Sequence, residues 1–406
     1  MNFMNKKYHI ITYGCQMNES DSERLAYMLD KMDYEYTDEI KNADILIMNT
    51  CSVRENADDR FFGNLGRMKN IKKENDMIIA VCGCMMQQEH IVQAIKKTYP
   101  FVDLVFGTHN IEQFPALLKR YKNSLKTVVE VLDDNTLSDP ARQARRKYPF
   151  KAFVPIMSGC NNFCTYCVVP YTRGREKSRR AEEIVREIES LVEDGVKEVM
   201  LLGQNVNSYG IADKMDVSFA QLLRSIDRID GIERIRFMTS HPKDFSDELI
   251  EVMSNSRHIC KHLHLPLQSG SSRILKLMNR HYDKSSYLAL TERIKAAVPE
   301  INLSTDIIVG FPSETEEDFN HTLDVVERVR YDSAFTFMYS PRKGTKAYEM
   351  PIDIEEAAIK RRFNRLLELQ QENCAQSNAR FIGKTVSVLT EGKSKNNPSL
   401  LTGRTD

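Results

Sequence analysis

Cys160, Cys164 and Cys167 stand in a CxxxCxxC spacing within Ile156 to Arg180, IMSGCNNFCTYCVVPYTRGREKSRR, directly after an apolar run that reads as a strand. A compact loop can turn three such thiolates toward one point, and soft thiolate ligands select iron–sulfur clusters, zinc or copper(I). The count is three, whereas a closed structural zinc site or an ordinary cluster takes four protein ligands. Three ligands leave one metal position open, as a site that binds and activates a substrate requires. A zinc-ribbon half-site and three unrelated buried thiols are the plainer alternatives.

Further cysteines depend on the elements that carry them. Short apolar runs at Tyr8–Tyr13, Ala43–Met48, Met77–Val81 and Val102–Phe106 alternate with helical patterns at Ser20–Lys31, Glu55–Lys72, His90–Lys97 and Ile111–Tyr121. Alternation at this pace predicts βαβ units and a parallel, helix-covered sheet. Cys15 follows the first strand in YGCQMNESDSE, Cys51 the second in MNTCSVREN and Cys84 the third in AVCGCMMQQ. Ligands bind outside the carboxyl ends of the strands in open α/β sheets, so these three can converge. A lone cysteine is commonly a small buried hydrophobe. Three at successive strand ends, each in a polar turn, favour a second site. Cys82 points to the same face as Cys84 if its strand continues, and spacing leaves that choice open.

After the cysteine loop, strands at Lys197–Leu202, Arg234–Met238, His262–Leu267, Ile301–Val309 and Ala334–Tyr339 alternate with helices. Each strand ends in a polar turn, and most of these turns contain glycine. With the strand before the cysteine loop these make six βα-like units, which predict an open (β/α)6 barrel with its chemistry at the carboxyl ends of the strands. His262 and His264 share one strand face, but these, His241 and His281 read as hydrogen-bonded histidines rather than metal ligands. Cys260 and Cys374 lack nearby partners and read as ordinary thiols.

The cysteine loop resembles the signature of radical S-adenosylmethionine (SAM) enzymes, Tyr166 before the last cysteine included. The resemblance sharpens to the methylthiotransferases through GCQMN at Gly14–Asn18, NTCSVR at Asn49–Arg54 and GCMMQ at Gly83–Gln87. It implies two 4Fe–4S clusters, one on Cys160, Cys164 and Cys167 that chelates SAM, the other on Cys15, Cys51 and Cys84. Gly83 before Cys84 matches Gly14 before Cys15, which favours Cys84 over Cys82. By the same resemblance Gly203, Gln204 and Asn205, with Gly310 and Phe311, lie where SAM is held. The fold implied is a doubly wound parallel N-terminal α/β domain, a radical SAM barrel and the start of a small β-barrel RNA-binding TRAM domain. Expected bounds are 6–124, a linker at 125–145, 146–376 and 379–406. The last piece is too short to bury a core, so the chain reads as truncated and its tail as poorly ordered.

Composition fits a globular protein of two or three domains. No run of about 18 apolar residues suggests a membrane span, and the N-terminus lacks a signal-peptide pattern. A cytoplasmic chain is expected, in which nine cysteines argue for metal or redox chemistry over disulfides. Net charge is zero, so no global field announces nucleic acid. Ala141–Lys151 and Arg173–Arg180 are nevertheless strongly basic and flank the cysteine loop. Charge runs are usually solvated faces; here Arg142, Arg145, Arg146, Arg173 and Arg175 are candidate phosphate contacts.

Within the methylthiotransferases, GCQMNESDSE and CVVPYTRGREKSR resemble the branch acting on N6-dimethylallyladenosine beside the anticodon of tRNA. Methylthiolation at C2 of that base implies two molecules of SAM, a sulfur source and a low-potential electron donor such as flavodoxin or ferredoxin. A monomer is expected. The rival substrates are threonylcarbamoyladenosine in tRNA and an aspartate of a ribosomal protein. A zinc-stabilised RNA-binding protein is the non-enzymatic alternative.

Overall fold

The computed structural model describes residues 6–52, 55–133 and 144–406. Its first part runs β1 (Lys6–Thr12), α1 (Gln16–Asp30), β2 (Tyr34–Tyr36), β3 (Ile45–Thr50), α2 (Glu55–Asn75), β4 (Ile78–Gly83), α3 (Glu89–Thr98), β5 (Leu104–Phe106), α4 (Phe114–Ser124) and β6 (Val128–Glu130). The six strands are all parallel, in the order β2-β1-β3-β4-β5-β6. In β3, Ile45 and Ile47 pack into one apolar layer with Leu25 and Leu29 of α1. The alternate residues Leu46 and Met48 enter another with Phe61 and Leu65 of α2. A strand buried on both faces reads as a continuous apolar run, and ILIM is one. β6 lies inside the stretch expected to be linker, because three residues, VVE, are too short to stand out as a strand in sequence.

The second part opens with β7 (Lys151–Pro155), β8 (Met157–Ser158), α5 (Val169–Thr172), β9 (Lys177–Ser178), α6 (Ala181–Glu193), β10 (Glu198–Leu202), α7 (Phe219–Asp227), β11 (Arg234–Phe237) and α8 (Asp247–Asn255). It continues with β12 (His262–His264), α9 (Ser272–Leu277), α10 (Lys284–Ala297), β13 (Asn302–Val309), α11 (Glu316–Val329), β14 (Ser333–Met338) and α12 (Glu356–Ala379). Parallel sheets β11-β10-β7 and β12-β13-β14 are joined by a bridge between Ile235 and Ile259. Six parallel strands therefore follow chain order. Among the described residues β7 and β14 do not pair, which leaves the barrel open. One large apolar core lies between the strands and the helices outside them. Several helices start on side-chain caps, Ser218 before α7, Asp283 before α10 and Thr315 before α11, each with its reciprocal bond. Such caps are worth about 1 kcal/mol each.

The C-terminal segment departs from expectation, since β15 (Leu389–Lys393) and β16 (Leu401–Arg404) form an antiparallel hairpin. Charge holds it in place of an apolar core. Arg234 Nη1 donates to Arg404 O at 2.8 Å, and Lys151 Nζ donates to Glu391 at 3.1 Å. Lys151, Arg234, Arg236 and Glu198 are buried at the amino ends of the barrel strands, where unpartnered charge is costly. Glu198 pairs with Arg236 and Lys151, and the C-terminal segment supplies further partners for the three cations.

Candidate active site

Strand register assembles the first cysteine group. Strands β1, β3 and β4 are neighbours, with Thr12 opposite Asn49 and Thr50 opposite Gly83. Cys51 and Cys84, the next residues on β3 and β4, are thus level. Cys15 is the residue at which α1 begins. A Cβ built on Gly14 (φ +108°) would lie 2.6 Å from Cys51 Sγ, so only glycine admits that thiol. Asn18, fully buried, ties the turn together: its amide donates to Thr50 O at 2.6 Å while its Oδ1 lies 3.4 Å from Cys15 Sγ and 3.8 Å from Cys84 Sγ. Cys15 is exposed; hydrogen bonding with Cys51 lowers its pKa to about 6, with the Arg173 charge adding to that effect. Burial raises Cys84 to about 11, against the nearby Arg173. Cys82, by contrast, packs in the apolar layer with Tyr8, Ala80 and Leu104.

The second group sits on one loop closed at its neck by β8 and β9, where Met157 pairs Ser178 and Ser158 pairs Lys177. Gly159 takes φ +81°, and a Cβ there would meet the carbonyls of Gly174 and Arg175. Cys160 N donates to Gly174 O at 3.1 Å and Cys167 N to Cys164 O at 2.9 Å. Outside support comes from the turn after α9. Thr165 N donates to Met278 O at 3.1 Å, and the Asn279 amide donates to the carbonyls of Asn162 and Phe163. Arg280, buried, donates to Cys164 Sγ at 3.4 Å and to Pro266 O at 3.3 Å. Burial raises Cys160 to about 11 and Cys167 to about 12, and the charge of Cys164 adds to both.

The two groups meet across one joint. Arg173, at the end of α5, is 5% exposed; its Nε donates to Cys84 Sγ at 3.0 Å and its Nη2 to Asp21 at 3.0 Å and Asn18 at 3.3 Å. It faces inward, which corrects its expected place as a phosphate contact. Met17, from the GCQMN turn, packs with Met200 and Leu202 of β10 and against Phe153 and Met238. The first motif thereby reaches into the barrel mouth.

Other expected residues fall into three groups. Asn205 is buried at the end of β10; its amide donates to Asp244 at 2.7 Å while its Oδ1 has no partner. Ser240 Oγ and His241 Nε2, buried beyond β11, are likewise without partners. Orphaned buried polar atoms at strand ends suit a polar ligand. Gln204 instead accepts from Gly159 N at 2.6 Å and so braces the cysteine loop. Gly203 packs against Met157, and Gly310 N donates to Glu314 at 3.2 Å. Phe311 is buried in an apolar cluster with Ile274, Met278 and Ala347, against which Tyr166 packs, so its ring backs the cysteine loop. Among the basic residues, Arg145 pairs with Asp30 and with Tyr8 Oη, both at 2.9 Å, and Arg146 pairs with Asp194. Arg175 is exposed and lies 4.3 Å over the Phe163 ring. Arg142 lies outside the described residues. His262 and His264 both bond to Ser304 Oγ, and His264 Nε2 also contacts Asp306 at 3.2 Å.

Known proteins share both halves. Residues 7–107 match the family described as uncharacterized protein family UPF0004, and residues 154–326 match the radical SAM superfamily. Over 402 residues the chain is 54% identical to the tRNA-2-methylthio-N(6)-dimethylallyladenosine synthase of Alkaliphilus oremlandii, covering 99% of this chain and 85% of that protein. The enzyme of the same name from Clostridium perfringens is 53% identical over 406 residues, covering 100% and 91%. The chain belongs to this synthase family. It is thus a radical SAM protein joined to a UPF0004 domain. Solved structures share the fold at low identity. The radical SAM methyltransferase TsrM of Kitasatospora setae, with cobalamin and a 4Fe–4S cluster bound, matches with TM-score 0.64 at 14% identity, over 85% of this chain and 77% of that one. The cobalamin-dependent radical enzyme OxsB matches with TM-score 0.57 at 13% identity, over 98% and 64%.

The donor chemistry fits iron–sulfur clusters. Each site offers three thiols, and a buried arginine donates to one sulfur in each, at Cys84 and at Cys164. Among the described residues no three Cys, His, Asp or Glu side chains close on a single ion. A four-iron cluster asks its three thiolates to reach three different irons rather than one point. Sequence reasoning missed Arg280, and misplaced Arg173, because their sulfur partners lie 116 and 89 residues away.

Proposed function

We propose that this chain methylthiolates C2 of N6-dimethylallyladenosine beside the anticodon of tRNA, using SAM and two 4Fe–4S clusters. Cys160, Cys164 and Cys167 hold one cluster with an open iron for SAM; Cys15, Cys51 and Cys84 hold the other. When bound, these groups supply what side chains lack: reductive cleavage of SAM to a carbon radical, and sulfur for an unactivated C–H position. The observation that carries the reading is the joint itself, in which Arg173 of the SAM-side loop touches Cys84 of the other triad. Sulfur insertion needs both centres to reach one base, and this contact between the two cysteine-bearing segments supports that reading.

The chain's own residues bind, orient and exclude water. Asn205, Ser240 and His241 offer unsatisfied polar atoms to SAM. His241 is held neutral by burial, with the Arg280 charge adding to that effect; its Nδ1 accepts from Lys243 N at 3.2 Å, so Nε2 carries the proton and is a donor. Met17, Phe153, Met200 and Met238 form an apolar wall at the barrel mouth. That wall favours the five-carbon dimethylallyl branch over a threonylcarbamoyl group, whose carboxylate would be poorly solvated there. The base beside the anticodon lies in a loop, where it can leave its stack and enter a pocket. A low-potential electron donor, a sulfur source and a cytoplasmic setting complete the proposal. Among the described residues no helix is long and apolar enough to cross a membrane.

Nucleoside analysis of tRNA from a strain lacking this protein tests the substrate. Loss of the methylthio-isopentenyl nucleoside is expected. An unchanged profile would move the substrate to a ribosomal protein. A colourless zinc protein after anaerobic purification, in place of a brown one with about eight irons per chain, would refute the radical chemistry altogether.

A further inference from the structure

We infer that Arg173, carried by the SAM-side cysteine loop, is a positioning residue for the other triad and sets the reduction potential of the cluster there. The inference rests on the reading that Cys15, Cys51 and Cys84 hold a cluster. Arg173 is six residues beyond Cys167, joined to it by the single turn of α5. Its guanidinium reaches across the domain joint to Cys84 Sγ at 3.0 Å. Burying a guanidinium is costly unless its charge and donors are met. Asp21 meets part of this at 3.0 Å, but the same carboxylate also faces Arg24 at 3.4 Å. Two arginines thus share one carboxylate, although Arg24 also pairs with Glu112. The sulfur of Cys84 is a second group on Arg173 able to carry negative charge, with that of Cys15 close by.

Donors and positive charge beside a ligating sulfur stabilise the more negative, reduced cluster and raise its potential. Here that charge comes from the opposite domain. The loop holding one triad therefore tunes the other, and the second centre takes its working potential only when the two domains are docked. Arg280 does the equivalent for Cys164 from within its own barrel, so among the described residues the cross-domain supply is particular to the N-terminal site.

The test uses the full chain with Cys160, Cys164 and Cys167 all changed to Ala, so that only the N-terminal site loads, at about four irons. Its midpoint potential is measured by redox titration followed by electron paramagnetic resonance. In this parent, R173M and R173K are compared with Arg173; D21N/R173M is compared with D21N, which avoids leaving a bare buried carboxylate. A downward shift is expected on removing the arginine in both pairs, with R173K falling between. An unmoved potential at full iron content overturns the inference. If the Met variants fail to load, rescue of loading by R173K supports it, and failure of R173K overturns it by reducing Arg173 to interdomain packing. A parent that itself binds no iron would instead sink the assignment of Cys15, Cys51 and Cys84 as ligands.

Discussion

At the N-terminal site strand register brings Cys51 and Cys84 level and the turn into α1 adds Cys15, three cysteines over thirty residues apart, whereas Cys160, Cys164 and Cys167 share one loop. The first arrangement needs a folded sheet before any ligand is in place. The second needs the neck made by β8 and β9 and the braces from Gln204 and Asn279. A site gathered by a sheet has walls from several elements and can be tuned from outside. A loop site is largely preformed by its own backbone. The pairing suits a chain in which one centre generates a reactive species and the other meets it.

The largest expected effect separates the two centres by their products. Cys164→Ala should halve iron to about four per chain and abolish formation of 5′-deoxyadenosine. Cys84→Ala should remove the same share of iron yet leave SAM cleavage, with methylthio product falling to background. Iron analysis with mass spectrometry of nucleosides checks both. If Cys82→Ala empties the N-terminal site and Cys84→Ala does not, the ligand set is wrong.

Next in size is Gly159→Ala. A side chain there must sit at φ +81° and collide with the carbonyls of Gly174 and Arg175, which are backbone and cannot swing aside. Strain of this kind costs about 1–3 kcal/mol. Iron should be lost from the loop site while the sheet-built site keeps its own, about four per chain. Equal loss from both sites would show that the two do not assemble independently.

The same contrast governs what could be read from the chain alone. Local spacing exposed the Cys160 loop at once, because three ligands within eight residues need no tertiary knowledge. The N-terminal triad became visible only after strands were placed, and then because each cysteine ended one. Helix α6, Ala181–Glu193, is one of the helices expected between the barrel strands, its apolar period being complete within thirteen residues. What escaped were contacts made in three dimensions. Arg173 lies in a run of basic residues and looks solvated, yet it is buried because a carboxylate and a sulfur from another domain wait for it. Gln204 stands where a cofactor contact was expected, yet its carbonyl is taken by Gly159. The order of the hairpin β15–β16 was not expected of a tail too short to bury a core, because its partners are charges at the ends of distant strands.

A smaller effect probes the joint between the sites. Glu23 of α1 accepts from Lys147 N at 3.0 Å, and burial raises its pKa from 4.5 to about 7. The folded chain therefore holds this proton more tightly than the unfolded one. The resulting stability is full below about pH 4.5 and is lost as pH rises through about 7. E23Q keeps an acceptor for Lys147 without the buried charge. Above that range it should be more stable than the natural chain by about 1–2 kcal/mol, allowing for partial solvation. Melting temperatures followed from acid to alkaline pH should converge on the acid side and separate on the alkaline side. Parallel curves would show that Glu23 ionises freely at the joint.

The smallest effect concerns the rim of the loop site, where sheet and loop again differ. Arg175 lies over Phe163, Tyr171 meets that ring edge-on with centroids 5.8 Å apart, and Tyr171 is 51% exposed. This cation and these two rings stand on the cysteine loop itself. A flat aromatic face is suited to an unstacked base, and a guanidinium to a phosphate. Arg175→Ala should weaken tRNA binding a few-fold and reduce the slope of log affinity against log salt by about one. Tyr171→Ala should weaken binding by about 1 kcal/mol or somewhat more, with the salt slope unchanged, because stacking releases no counterions. Both variants should keep full iron. If the arginine leaves the slope untouched, the charge that meets the backbone must come from elsewhere on the chain, and the loop contributes stacking alone.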